Sequence, residues 1–232
     1  MAAPDRISEP IHFRMLPEQP WQRGGTASGA WQRARMFHAI VRAVSEKGYA
    51  KVTVADVVGL AGVSRRTFYE HFNDVEDCFV EAYDAATRVI LAEVESAVRS
   101  ALRDDWHDRF EVAIAAYLGA LASDPAVARA CLVDTVGAGP RAVDARRHVY
   151  RQFAGQMRAL RHPRGATEKE KIPEVQFWAA VGAIGELVQD HILVHGADSL
   201  PVLTPTLTRL GWALLDTSFA DNATPPTPVR AP

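Results

Sequence analysis

Residues 53–72 read TVADVVGLAGVSRRTFYEHF. Val54, Val57, Val58 and Ala61 recur at i, i+3, i+4 and i+7, the apolar stripe of a short helix. Thr53 stands where an N-cap belongs and Gly62 where a helix closes, with Val63 placed to pack back on Val58. Ser64 then caps a second helix. Val63 and Phe68 fall at the N′ and N4 positions of a hydrophobic staple, which fixes the angle at which the chain enters that helix, and Phe72 extends the Phe68 face. Two helices joined by a glycine-containing turn of three to four residues make a helix-turn-helix. In that motif the second helix leads into the DNA major groove with its N-terminal end. The outward residues there are Arg65, Arg66, Thr67, Tyr69, Glu70 and His71. Arginine donates bidentately to guanine O6 and N7, and the Thr67 methyl suits a thymine methyl. Tyr69 and His71 suit phosphates, as do Thr53 and the amides that open the first helix.

The same logic extends outward. Phe37, Ile40, Val41 and Val44 mark a helix over about residues 28–47, closed by Gly48 as a left-handed residue with Tyr49 packing back on Val44. Asp74 caps a fourth helix, with Glu76 and Asp77 in its first turn. Residues 52–54 are the best strand candidate but are too short to outweigh the helical pattern around them. Further helices are expected over 106–122, from the Asp124-Pro125 pair, over 140–160, over 173–195 and over 204–220, with a polar loop at 161–172. The fold class is all-α. The expected division is a disordered arm at 1–29, a DNA-binding helix-turn-helix domain at 30–76, a helical effector-binding and dimerisation domain at 77–221, and a disordered tail at 222–232.

Bulk properties agree with a globular protein that has enough chain to bury a core: 232 residues, 48% hydrophobic and 23% charged. No run of 18 apolar residues and no apolar leader are seen, so neither a membrane span nor a secretory signal is expected. Two cysteines, Cys78 and Cys131, sit in apolar-periodic segments and read as buried small hydrophobes in a reducing cytoplasm. The net charge of −2 is uneven. Residues 31–72 hold seven basic side chains, Arg33, Arg35, Arg42, Lys47, Lys51, Arg65 and Arg66, against three acids, Glu46, Asp56 and Glu70. A basic segment on an otherwise acidic chain is the electrostatic footprint of a nucleic-acid-binding module.

Together with Glu46-Lys-Gly-Tyr49, the 53–72 stretch closely resembles the signature of the tetracycline-repressor (TetR) family of transcriptional regulators. The likeness covers about 50 of the 232 residues. It implies an all-α dimer with a three-helix DNA-binding domain and a variable C-terminal domain that takes a small effector. It also implies that Thr53, Ser64, Arg65, Arg66, Thr67, Tyr69 and His71 face DNA. The chain departs from the family at Val75, where the family usually carries a phosphate-binding lysine, and at Cys78, where leucine is common. Arg33, Arg35 or Arg23 are the candidates to compensate.

The partners expected are double-stranded DNA with a near-palindromic operator, a second copy of the chain, and a small apolar effector. No cofactor, metal or membrane is expected. Small residues Ala179, Ala180, Gly182, Ala183 and Gly185 allow close helix approach, and Leu207, Leu210, Leu214 and Leu215 add an apolar face. These two helices are the candidate dimer interface. Trp106, Phe110, Tyr117, Phe153, Met157, Phe177, Trp178 and His191 fall at inward spacing and are the candidate cavity lining, with Glu186, Gln189 and His191 as polar anchors. The pair His191 and His195 has metal-ligand spacing but lacks the glutamate of the metalloprotease motif. Residues 137–142 mimic a dinucleotide fingerprint without its preceding strand. No nucleophile–base set is seen. The rival readings are a non-specific architectural DNA binder and a helical enzyme with a C-terminal cavity.

Overall fold

The computed structural model describes residues 29–102, 104–162 and 172–216. Of the segments expected to be disordered, 1–28 and 222–232 lie outside these residues, as do most of the polar loop and Arg23, whereas Gly29 opens the first helix. Among the described residues there are nine α-helices and no strand. They are α1 (Gly29–Lys47), α2 (Val54–Ala61), α3 (Arg65–His71), α4 (Val75–Ser100), α5 (Trp106–Ser123), α6 (Pro125–Leu132), α7 (Pro140–Arg161), α8 (Glu174–His195) and α9 (Thr204–Leu215).

Local signals account for most boundaries. Ser64 accepts from the Thr67 amide at 3.0 Å, Asp74 from the Asp77 amide at 2.7 Å and Asp124 from the Val127 amide at 3.1 Å. Gly62 adopts φ 61° and ψ 41°, and the Val63 amide donates to the Val58 carbonyl at 3.1 Å, closing α2. Gly48 has the positive φ expected of it, 77°, but its ψ of 145° takes it out of the left-handed helical basin. The chain leaves α1 into a short 3₁₀ turn, Tyr49–Lys51, and the Tyr49 ring lies 5.2 Å from that of Phe79. Val52 is buried as a single anchor between this turn and α2. The last helix ends at Leu215, before the expected residue 220.

Packing joins the two halves. α1 lies against α2, α4 and α6; α4 against α5 and α7; α7 against α8; and α9 against both α8 and α5. One buried cluster runs from Ile40, Phe68 and Phe72 through Phe79 and Tyr83 to Phe110, Leu118 and Phe177. Cys78, Phe79 and Ala82 of α4 belong to it, so α4 crosses the expected domain boundary as a continuous rod. Both cysteines are buried and free. By length and composition alone α8 is long and apolar enough to cross a membrane, as the core helix of a bundle also can be. One of its faces, with Phe177, Val181, Ile184, Val188 and Ile192, is buried in the bundle. Val175, Leu187 and Val194 remain exposed.

Candidate nucleic-acid interface and effector cavity

Phe68 is fully buried and pins α3 by its inner face. Arg65, Arg66 and Tyr69 therefore point out, with Ser64 exposed beside them. Arg65 has no ion pair among the described residues, and Arg66 is 90% exposed with its Nε 3.0 Å from Glu70. Ser64 and Thr67 share a 2.9 Å hydroxyl contact, which leaves Thr67 half-buried. His71 is also half-buried and turns back toward α1, with Nε2 3.4 Å from Gln32 Oε1. Gln32 was not singled out in the sequence, because it sits on the polar side of α1 with no motif around it.

Thr53 is exposed and caps α2 in a reciprocal box. Its amide donates to Asp56 Oδ2 at 2.8 Å, its hydroxyl donates to the same oxygen at 2.6 Å, and the Asp56 amide returns to Thr53 Oγ1 at 3.4 Å. Lys47 Nζ stands 2.6 Å from that carboxylate. The lysine and the Thr53 donors hold the Asp56 carboxyl at about 2, below the usual 3.8. With its proton committed to Asp56, the Thr53 hydroxyl is not a free donor, and the Val54 and Ala55 amides remain the open groups at this helix end.

Val75 packs partly against the core at the start of α4. Of the three arginines considered as compensation, Arg33 pairs with Glu81 and lies over the Phe37 and Phe72 rings at 5.6 and 5.3 Å. Arg35 stacks on Trp31 at 4.6 Å and reaches the Gly62 turn. Arg23 lies outside the described residues. An arginine from another element does reach α4: Arg141 of α7 pairs with Asp77, stands 3.6 Å from Asp74, and its amide donates to Glu76 at 3.2 Å.

Behind α4 lies a cavity of about 80 Å³ bounded by α4, α5, α6, α7 and α8. Of the eight residues expected to line it, Phe110, Tyr117, Phe153 and Met157 do so. Trp106, Phe177, Trp178 and His191 do not. Trp106 keeps the period of Phe110 but starts its helix, where it stacks on His107 at 4.1 Å under the Arg161 guanidinium. Phe177 is buried against the His162 ring, and Trp178 lies by Arg151. His191 bonds Ser199 at 2.8 Å and stacks on His195. Glu186 and Gln189 are likewise outside the lining. The polar groups present instead are Tyr83, Thr87, Arg146, Tyr150 and Gln156. Burial pushes the Tyr83 and Tyr117 phenols up, and the Cys131 thiol up to about 12, so all three line the wall as neutral groups. Among the described residues no group of three metal-ligating side chains exists.

Residues 37–82 match the family model for bacterial regulatory proteins of the tetR family. The N-terminal helices of this chain are thus similar to those of the tetR family. Solved structures extend the likeness over the C-terminal helices as fold. FadR, the fatty acid degradation regulator of Bacillus halodurans, is 17% identical with a TM-score of 0.69, over 82% of this chain and 96% of that one. FadR from Bacillus subtilis, in complex with stearoyl-CoA, is 16% identical with a TM-score of 0.67, over 78% and 97%. A tetR-family regulatory protein from Rhodococcus RHA1 is 20% identical with a TM-score of 0.59, over 82% and 98%. No curated protein gives a match. The matched residues run from within α1 to the first turns of α4, and α4 also forms a wall of the cavity.

Proposed function

We propose that this protein is a homodimeric, sequence-specific transcriptional repressor of the cytoplasm, released from a near-palindromic DNA operator by a small apolar effector. The observation that carries the reading is the continuity of α4. It runs from the helix-turn-helix, whose exposed face carries Arg65, Arg66 and Tyr69, to the apolar cavity lined by Phe110, Tyr117, Phe153 and Met157. Residues 30–76 serve DNA, and 77–221 serve effector binding and dimerisation.

Arg65, Arg66 and Thr67 read bases. Tyr69 and His71 hold phosphates and set register, Ser64 faces the DNA beside them, and at Thr53 the phosphate contact is carried by the Val54 and Ala55 amides that its cap leaves open. The exposed Val175, Leu187 and Val194 of α8 support a second copy of the chain as the partner on that face. A two-fold dimer sets its recognition helices about 34–36 Å apart, one turn of DNA. Effector binding favours a dimer whose recognition helices no longer match that spacing. A protein of this fold, the Bacillus subtilis FadR, is found in complex with stearoyl-CoA, which supports an apolar effector here. Among the described residues lining the cavity none is Asp, Glu or His, which weighs against the enzyme reading.

The test is selection of bound sequences from a random duplex pool at physiological salt. Enrichment of a two-fold symmetric motif is the expected outcome. Salt-sensitive binding without an enriched motif overturns sequence-specific regulation in favour of an architectural role.

A further inference from the structure

The cavity has two unlike ends. At one end Tyr83 of α4 and Arg146 and Tyr150 of α7 come together. At the other, Val94 of α4, Ala113 of α5 and Leu160 of α7 form a small apolar cluster of their own, with Tyr117 packed against it. α4 and α7 run the same way along the wall: Tyr83 and Arg146 share the polar end, Val94 and Leu160 the apolar one. Ten residues of α7 separate Tyr150 from Leu160, about 15 Å of helix.

Arg146 is part-buried and has no carboxylate partner among the described residues. Its guanidinium lies 5.1 Å from the Tyr150 ring centroid and donates to the Tyr150 hydroxyl at 2.7 Å. A hydroxyl that accepts from a cation turns its own proton away, so Arg146 and Tyr150 together present two donors and one positive charge. A Cβ at Gly185 of α8 would stand 2.9 Å from the Tyr150 hydroxyl, so glycine there makes room for it. An unpaired cation in an apolar wall is costly unless an anion meets it, and a carboxylate matches the guanidinium fork.

Resting on the effector reading above, we infer that the cavity binds an apolar monocarboxylate, its carboxylate on Arg146 and Tyr150 and its hydrocarbon body between Val94 and Leu160. Gln156 adds a specificity element midway. Its Nε2 donates to the Leu91 carbonyl at 3.4 Å, while its Oε1 is buried with no partner among the described residues. That oxygen favours acids carrying a hydroxyl or amide along the chain.

The test is calorimetric titration of the full-length dimer, with octanoate, dodecanoate and benzoate each set against its matching alcohol, and with octanoyl-CoA. The expected result is at least tenfold tighter binding of an acid than of its alcohol. R146Q removes that preference by weakening the acid at least tenfold more than its alcohol, and Y150F removes part of it. Circular dichroism confirms that both variants remain helical. An alcohol that binds as tightly as its acid overturns the anion site and leaves the apolar-effector reading standing. Octanoyl-CoA binding more tightly than octanoate, with R146Q without effect, overturns the free acid in favour of a thioester. No binding by any of the compounds overturns the ligand class, while the selection of bound duplexes, which needs no ligand, tests the regulator reading separately.

Discussion

Asp56, capped by Thr53 and paired with Lys47, makes the N-terminal helices sensitive to acid. Its carboxyl titrates at about 2 in the fold against 3.8 for the free group. A depressed carboxyl adds stability above its free value, and that stability is lost as pH falls toward the folded one. The expected outcome is a thermal midpoint that drops for the wild type between pH 3.8 and about 2, with a smaller drop in D56N, read by circular dichroism. Equal slopes in the two proteins refute the assignment. On the outer face, R65A is expected to weaken operator binding by about 1–3 kcal/mol and to relax one base-pair position, because a bidentate guanine contact is lost. Equal loss on every duplex would make Arg65 a phosphate contact. The capping residues Thr53 and Ser64 were legible in the sequence because a cap acts within three residues of itself. Arg146 was not. It stands among Arg141, Arg147, Arg151 and Arg158 on one helix, and which of them turns inward depends on packing against α4 and α8.

At the scale of elements, the helix-turn-helix was legible almost to the residue, since its caps and apolar stripes lie within 20 consecutive positions. The C-terminal helices were legible as helices but not as walls. Trp106 and Phe110 share a spacing, yet only Phe110 reaches the cavity, because where a helix begins relative to its neighbours is set by long-range packing. Gly211 of α9 shows how tight that packing is: a Cβ there would overlap the Phe110 ring. G211A is expected to destabilise the fold by about 1–3 kcal/mol, the usual cost of overpacking, as read by the urea midpoint. An unchanged midpoint would mean that the Phe110 ring swings freely into the cavity. The contact between α4 and α7 carries a different consequence. Arg141 ties the start of α4, through Asp74, Glu76 and Asp77, to the helix that holds Arg146 and Tyr150. Its exposed ion pairs contribute little to global stability. R141A is therefore expected to leave the urea midpoint within about 1 kcal/mol while reducing the factor by which bound effector weakens operator binding. Because coupling is reciprocal, the factor by which operator DNA weakens effector binding falls equally. A full response in R141A would place the coupling elsewhere along α4.

For the whole molecule, the two faces of α8 set the question of assembly. Its inner face packs into the bundle, and its outer face carries Val175, Leu187 and Val194 at 68%, 43% and 64% exposure. Ala179, Gly182 and Ala183 lie between them on the same side, small enough for a second helix to approach closely. Glu186 and Asp190 are exposed on the same side, so the apolar groups form a patch bordered by acids; a second copy of the chain is the proposed cover, since a two-fold arrangement lets one patch cover itself. The wild type of 25.4 kDa per chain is therefore expected to scatter light as a dimer. L187E combined with V194E places two carboxylates on each side of that contact, where like charges meet and are desolvated. The variant is expected to scatter as a monomer with unchanged helicity. Its affinity for a full two-fold operator should fall to that for a single half-site, because the second recognition helix is no longer held one turn of DNA away. A double variant that stays dimeric would move the interface off α8, and a monomeric variant with full operator affinity would mean that the two half-sites are read independently.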